Sequence, residues 1–261
     1  MIDTLISFFS IWKNDPIVLG VLVGVIITLF NTLGSLVVFF VRGTVSQKIL
    51  DLSLGFAAGL MLAACFTSLI IPGSKINGIF PVIVGIILGA IFLDVATHII
   101  PHEHILKTKN NQSQIRSLWL FIMAITIHNM PEGLSVGIAM GSHHLKEAIT
   151  LMLAIGIQNV PEGFSVSFSH YAQKLGTKWQ SAWVGIKSGL VEIPLAVIGI
   201  LLVSKITFIL PYAMGFGAGA MLYVISNEII PETHNKGFER IATTGTILGI
   251  IVMLALDMGL T

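Results

Sequence analysis

Two hexapeptides thirty residues apart share one frame: His128-Asn129-Met130-Pro131-Glu132-Gly133 and Gln158-Asn159-Val160-Pro161-Glu162-Gly163. On a helix, residues four apart lie on one face, so His128 projects with Glu132 and Gln158 with Glu162, while Asn129 and Asn159 lie one step round. Ser135 extends the first stripe; Ser165 and Ser169 extend the second. Imidazole, carboxylate and amide oxygens along two such seams are donors for a divalent transition metal, whereas a pure Ca²⁺ or Mg²⁺ site would prefer oxygen alone. Each proline removes an amide donor and its ring displaces the carbonyl of Ile127 or Ile157, and the glycine after each Glu loosens the helix further. Freed carbonyls then lie beside the polar side chains.

These residues stand in very apolar surroundings. Of 261 residues, 54% are hydrophobic and 10% charged, with a mean hydropathy of +0.92, far from the roughly one quarter charged of soluble domains. With only 14 basic and 13 acidic residues, no water-soluble surface can be built, and the chain reads as an all-α integral membrane protein. A net charge of +1 offers no basic field for nucleic acid. The lone Cys65 excludes an intramolecular disulfide. Apolar stretches of about twenty residues, the length that crosses a bilayer core, fall near 16–41, 49–71, 79–100, 117–140, 147–170, 180–203, 209–231 and 241–259, predicting eight spans. The longest polar insert runs from Pro101 to Ser117, which leaves no room for an extramembrane domain. Asp3, Lys13, Asn14 and Asp15 precede the first span, unlike a cleaved signal, so that span is expected to stay in the membrane.

Asp94, Glu132, Glu162, Glu192 and Glu228 all fall inside these spans. Inserting five carboxylates would cost roughly 12–18 kcal/mol, comparable to the whole stability of a domain. No span carries an Arg, and Lys187 is the one intramembrane base, five residues before Glu192 and awkwardly placed round the helix to pair with it; beside Trp179 and Trp183 it reads as a snorkelling side chain. A divalent cation that neutralises two carboxylates at once is the economical explanation.

Positions also repeat. Gly55-Phe56-Ala57-Ala58-Gly59-Leu60-Met61-Leu62, ending Ile70-Ile71-Pro72, matches Gly215-Phe216-Gly217-Ala218-Gly219-Ala220-Met221-Leu222, ending Ile229-Ile230-Pro231. Both this pair of spans and the hexapeptide pair are an odd number of spans apart, so each pair is inverted in the membrane, as in transporters that bind substrate near the midplane. Nine basic residues (Arg42, Lys48, Lys107, Lys109, Arg116, Lys174, Lys178, Lys236, Arg240) fall on one side and four (Lys13, Lys75, Lys146, Lys205) on the other, which puts both termini outside the cytoplasm of a multi-pass protein in the cell (inner or plasma) membrane.

The twin motif HNxPEG then QNxPEG, on eight spans with a His-containing loop after the third, resembles the ZIP (ZRT/IRT-like) divalent metal transporters, in their short prokaryotic branch. The resemblance covers nearly the whole chain and implies a single ZIP membrane domain over 1–261, with inverted 3+2+3 repeats. It implies a two-metal centre: His128, Glu132, Gln158 and Glu162 at one position with Met61 as a soft ligand, and Asn129, Asn159, Glu162 and Glu192 at the other, bridged by Glu162. Asp94, His98, His102, Glu103, His104, Glu228, Glu232 and His234 resemble cytoplasm-side relay ligands, although His102-Glu103-His104 also reads as a solvated loop end. Two departures stand out. Asn227 occupies a place where some relatives have His, and Asn159 one where some have Asp, which weakens the exit site and the second position. Likewise, His143-His144 reads as a solvated turn or a metal-capturing entrance, and His170 as an interfacial side chain.

The expected activity is alternating-access entry of Zn²⁺, and also of Fe²⁺, Mn²⁺ or Cd²⁺, into the cytoplasm, facilitated or proton-linked and dependent on pH because ligands lose protons to bind metal. The resemblance implies an elevator-like or rocking movement of the first, fourth, fifth and sixth spans against the rest. The chain is expected to be no enzyme and to hold no prosthetic group; metal is bound as substrate. Partners are divalent metal ions and the bilayer, with a homodimer as a candidate assembly and no nucleic acid. The alternatives are a non-selective divalent cation channel, which would not saturate, and an intramembrane metallohydrolase, which would need an open water position and a separate base.

Overall fold

The computed structural model describes residues 2–41, 46–99, 126, 129–142, 144–172, 174–205, 207–234 and 237–260, and these residues are helical with short connections. Helix α1 spans Ile2–Ile11 and α2 spans Pro16–Leu36. Asp15 starts α2 by accepting from the Val18 amide at 3.1 Å, with Pro16 at the first position, where its missing N–H is no loss. Helix α3, Gln47–Ala64, runs through a widened turn at Cys65–Ile70 into α4, Ile71–Asn77. Gly78, at φ 77°, breaks the chain before α5, Ile79–Ile99. Helix α6 covers 129–141 and α7 runs from Leu145 to Ala172, unbroken at Pro161. Then follow α8, Lys178–Gly189, and α9, Glu192–Lys205. Helix α10, Leu210–Val224, passes through a second widened turn at Ile225–Ile229 into α11, Ile230–Thr233, and α12 spans Glu239–Leu260.

Among the described residues, six helices are long and apolar enough to cross a membrane: Pro16–Phe40, Gln47–Asn77, Ile79–Thr97, Leu145–Ala172, Lys178–Ser204 and Glu239–Gly259. The predicted fourth span lies partly outside the described residues. The predicted sixth span is broken at Leu190–Val191 between α8 and α9. Pro194 explains the break: it has no amide to give the Leu190 carbonyl, and its ring crowds that turn.

Glycines set which helices touch. On α3, a Cβ at Gly55 or Gly59 would land on the carbonyls of Ala242 and Thr246, and Gly245 and Gly249 on α12 meet Leu52 and Phe56 in the same way. Helices α5 and α10 repeat the arrangement, Gly85 and Gly89 against Tyr212 and Phe216, Gly215 and Gly219 against Val82 and Ile86. Small residues four apart let membrane helices meet backbone to backbone, where lipid offers no hydrophobic drive to association. A second group is built on α2, which packs against α7, α8 and α9, while Gly133 and Gly137 set α6 against Glu192 and Ala196 of α9. The groups meet where α3 packs on α7 and where Ser135 of α6 lies against Gly217 of α10. Exposed Ile83, Ile87, Ile91, Ile247 and Ile251 on α5 and α12 form an apolar outer face.

The two widened turns differ in length by one residue. From Gly59 to Cys65 and from Gly219 to Ile225 the spacing is the same, yet the first turn has six residues and the second five before each Ile-Pro step.

Candidate metal centre

The polar groups of α6 and α7 face the broken sixth span and α2. Asn129, Glu132, Gln158, Asn159 and Glu192 are all fully buried, and Glu162 is 6% exposed. Gln158 Nε2 donates to Glu132 Oε1 at 2.8 Å, which ties the two motif helices together. Glu192 is held at both oxygens: Asn159 Nδ2 donates to Oε1 at 2.7 Å and Thr28 Oγ1 to Oε2 at 3.1 Å, with Thr28 also 3.1 Å from the Gly189 carbonyl. Asn129 Nδ2 donates to the Ser188 carbonyl at 3.3 Å. Because the chain breaks just before it, Glu192 stands in the first turn of α9, where unpaired amides and the helix dipole favour a negative charge.

The donors and acceptors do not balance. The amide N–H groups are used, but Asn129 Oδ1, Gln158 Oε1, Asn159 Oδ1, Glu132 Oε2 and both oxygens of Glu162 are buried without a hydrogen-bond partner. Stranded acceptors of this kind are destabilising by about 1–3 kcal/mol each. Every spare site is an oxygen lone pair, so the complement is a cation or a proton donor. Glu132, Glu162 and Glu192 are close enough to act on one another electrostatically. Even so, no three His, Cys, Asp or Glu side chains among the described residues lie within joint reach of one ion. An ion here would draw on the amide oxygens too, or pull the carboxylates inward.

The other candidates divide. Met61 is fully buried in the apolar core of α3. Asp94 Oδ1 accepts from the Tyr223 hydroxyl at 2.8 Å, which links α5 to α10, and Glu228 lies within electrostatic reach of the same hydroxyl. His234 is engaged at both ring nitrogens, Nδ1 2.9 Å from the Ile230 carbonyl and Nε2 3.3 Å from Thr243 Oγ1. His170 Nδ1 lies 2.9 Å from Ser181 Oγ and pins the end of α7 to α8. His102, Glu103, His104, His128 and His143 lie outside the described residues, as do the side chains of His98 and Glu232.

Sequence reasoning missed a polar stripe on α2: Thr28, Asn31 and Ser35, all buried, at steps of three and four. Asn31 Nδ2 donates to the Gly185 carbonyl at 2.8 Å and Ser35 Oγ to the Asn31 carbonyl at 2.9 Å. Its spacing was the available signal. Also missed was Asp51, fully buried on α3 and bonded to Gln47 Nε2 at 2.7 Å.

Comparison with known proteins agrees with this architecture. The family described as ZIP Zinc transporter matches residues 96–257. The zinc transporter GufA of Myxococcus xanthus is 36% identical over 239 residues, covering 87% of this chain and 93% of that protein. Zinc transporter ZIPB of Bordetella bronchiseptica is 36% identical over 252 residues, covering 88% and 77%. Human zinc transporter ZIP11 is 33% identical, covering 92% and 96%. Matches of this reach, over a helical chain with carboxylates at the heart of its spans, mean that the protein belongs to the ZIP family, whose members are transporters and not enzymes.

Proposed function

We propose that this protein carries Zn²⁺ inward to the cytoplasm through a two-metal centre within the membrane, with Fe²⁺, Mn²⁺ and Cd²⁺ as further cargo. The observation that carries the reading is the set of buried oxygens with no protein partner on Asn129, Glu132, Gln158, Asn159 and Glu162. A doubly charged ion would satisfy several of them at once, and among the described residues no side chain donates to them. His128, Glu132, Gln158 and Glu162, with Met61, are assigned to the first position; Asn129, Asn159, Glu162 and Glu192 to the second. The three relatives described above are all named as zinc transporters, which supports zinc as the principal cargo.

Alternating access between inverted 3+2+3 repeats of eight spans completes the proposal. It is supported by the matched glycine contacts of α3 with α12 and α10 with α5, and by the paired widened turns. Asp94, His98, His102, Glu103, His104, Glu228 and His234 are the proposed inward relay, with both termini outside. In proteoliposomes, Glu132→Ala or Glu162→Ala is expected to abolish saturable Zn²⁺ uptake. Uptake at the unmutated rate would refute the assignment, and flux that never saturates would favour a channel.

A further inference from the structure

Lys187 lies ten residues into the Lys178–Ser204 span and is not used by the proposed metal centre. It is exposed on α8, and the same outward face carries Trp179, 59% exposed, and Trp183, 44% exposed, then continues on α9 as Ile198, 52%, and Leu202, 42%. That face otherwise suits lipid. Gln180, Trp183, Val184 and Lys187, at steps of three and four, line a groove of about 470 Å³. The contrast with Lys178 is direct: its Nζ donates to the carbonyls of Phe39 at 3.2 Å and Val41 at 2.7 Å and lies over the Tyr171 ring. Lys187 has no hydrogen bond or ion pair among the described residues.

We propose that this groove binds the headgroup phosphate of an anionic phospholipid in the leaflet where α8 begins. Depth supports it. Trp179 and Trp183 mark the interface, where indole rings settle. Lys187 lies one turn deeper than Trp183, and its butyl stem reaches back about that far, which brings the ammonium to headgroup depth. There Lys187 meets a phosphate as a charge-assisted pair, and the Gln180 amide and Trp183 indole N–H offer further donors to the same oxygens. The acyl chains run on toward the midplane past Leu190, which is 44% exposed. Pairing gives the ammonium a counter-charge and the groove a ligand whose two ends match its two chemistries.

The test uses the full chain in detergent, titrated with phosphatidylglycerol or phosphatidylcholine of the same acyl composition and read by native mass spectrometry. The unmutated chain is expected to retain phosphatidylglycerol in preference, and Lys187→Met to weaken that retention about fivefold, the effect of one basic side chain near a lipid surface. Lys187→Arg should keep it, and millimolar inorganic phosphate should not displace the lipid. Trp183→Phe, which keeps the ring and removes the indole N–H, should give a smaller loss in the same direction, a second measure should Lys187→Met fold poorly. Equal retention of both lipids by the unmutated chain would overturn the proposal, as would displacement by inorganic phosphate. So would a dimer that Lys187→Met dissociates with lipid retention unchanged, since the ammonium would then face a second copy of the chain.

Discussion

Glu192 receives one donor from α7 and one from α2, and neither helix alone fixes its carboxylate. Thr28→Val removes the α2 donor while keeping the side chain's shape. At about 0.6 kcal/mol, the average for hydrogen bonds between membrane helices, the apparent KM for Zn²⁺ should rise about threefold with little change in thermal midpoint. Uptake kinetics beside a melting curve measure both. The carboxylates were legible in the sequence because an acidic residue in an apolar span has few explanations. Thr28, Asn31 and Ser35 were not, because small polar side chains are ordinary in membrane helices, and only their partners on α7, α8 and α9 give them meaning.

Elements position these side chains through two local devices. The gap between α8 and α9 sets Glu192 at a helix start, and Pro194 keeps the gap open. Pro194→Ala restores an amide that can bond the Leu190 carbonyl. It should extend the helix, swing Glu192 away from its donors and lower uptake while the protein still folds; size-exclusion profile and uptake rate together check this. The second device is close helix contact. Gly59→Val would drive a branched side chain into the Thr246 backbone, costing about 1–3 kcal/mol or more, and should lower the melting temperature of detergent-solubilised protein. Hydropathy made the long helices legible because span length is a compositional property. It is blind to backbone breaks, so the sixth span read as continuous. It also passed over α1, whose ten residues are too few to cross a bilayer, although Phe9 is fully buried and α1 packs on α7.

On the scale of the whole molecule, the unpartnered oxygens lie mainly in the group built on α2, α6, α7, α8 and α9, while α3, α5, α10 and α12 form two glycine-locked pairs beside it. In the proposed mechanism metal and protons compete for those oxygens, so Zn²⁺ uptake should fall as external pH is lowered and ligands protonate. Glu162→Gln, which cannot titrate, should flatten the response of whatever uptake remains; a pH series of initial rates decides it. That α3 and α10 carry matching glycine stripes could be read from the sequence. Which helix each glycine stripe meets could not, because partner choice depends on three-dimensional closure of the bundle.

The widened turns at Cys65–Ile70 and Ile225–Ile229 hold six and five residues between equivalent landmarks. An ordinary helix given one extra residue rotates everything downstream by about 100°, whereas a wider turn has more residues per turn and can spread such a rotation over its length. These are the points where insertion or deletion of a single amino acid is expected to be tolerated, measured by size-exclusion profile and uptake. Lengthening the second turn by one residue should leave a folded transporter, whereas the same insertion between Gly215 and Gly219 should not.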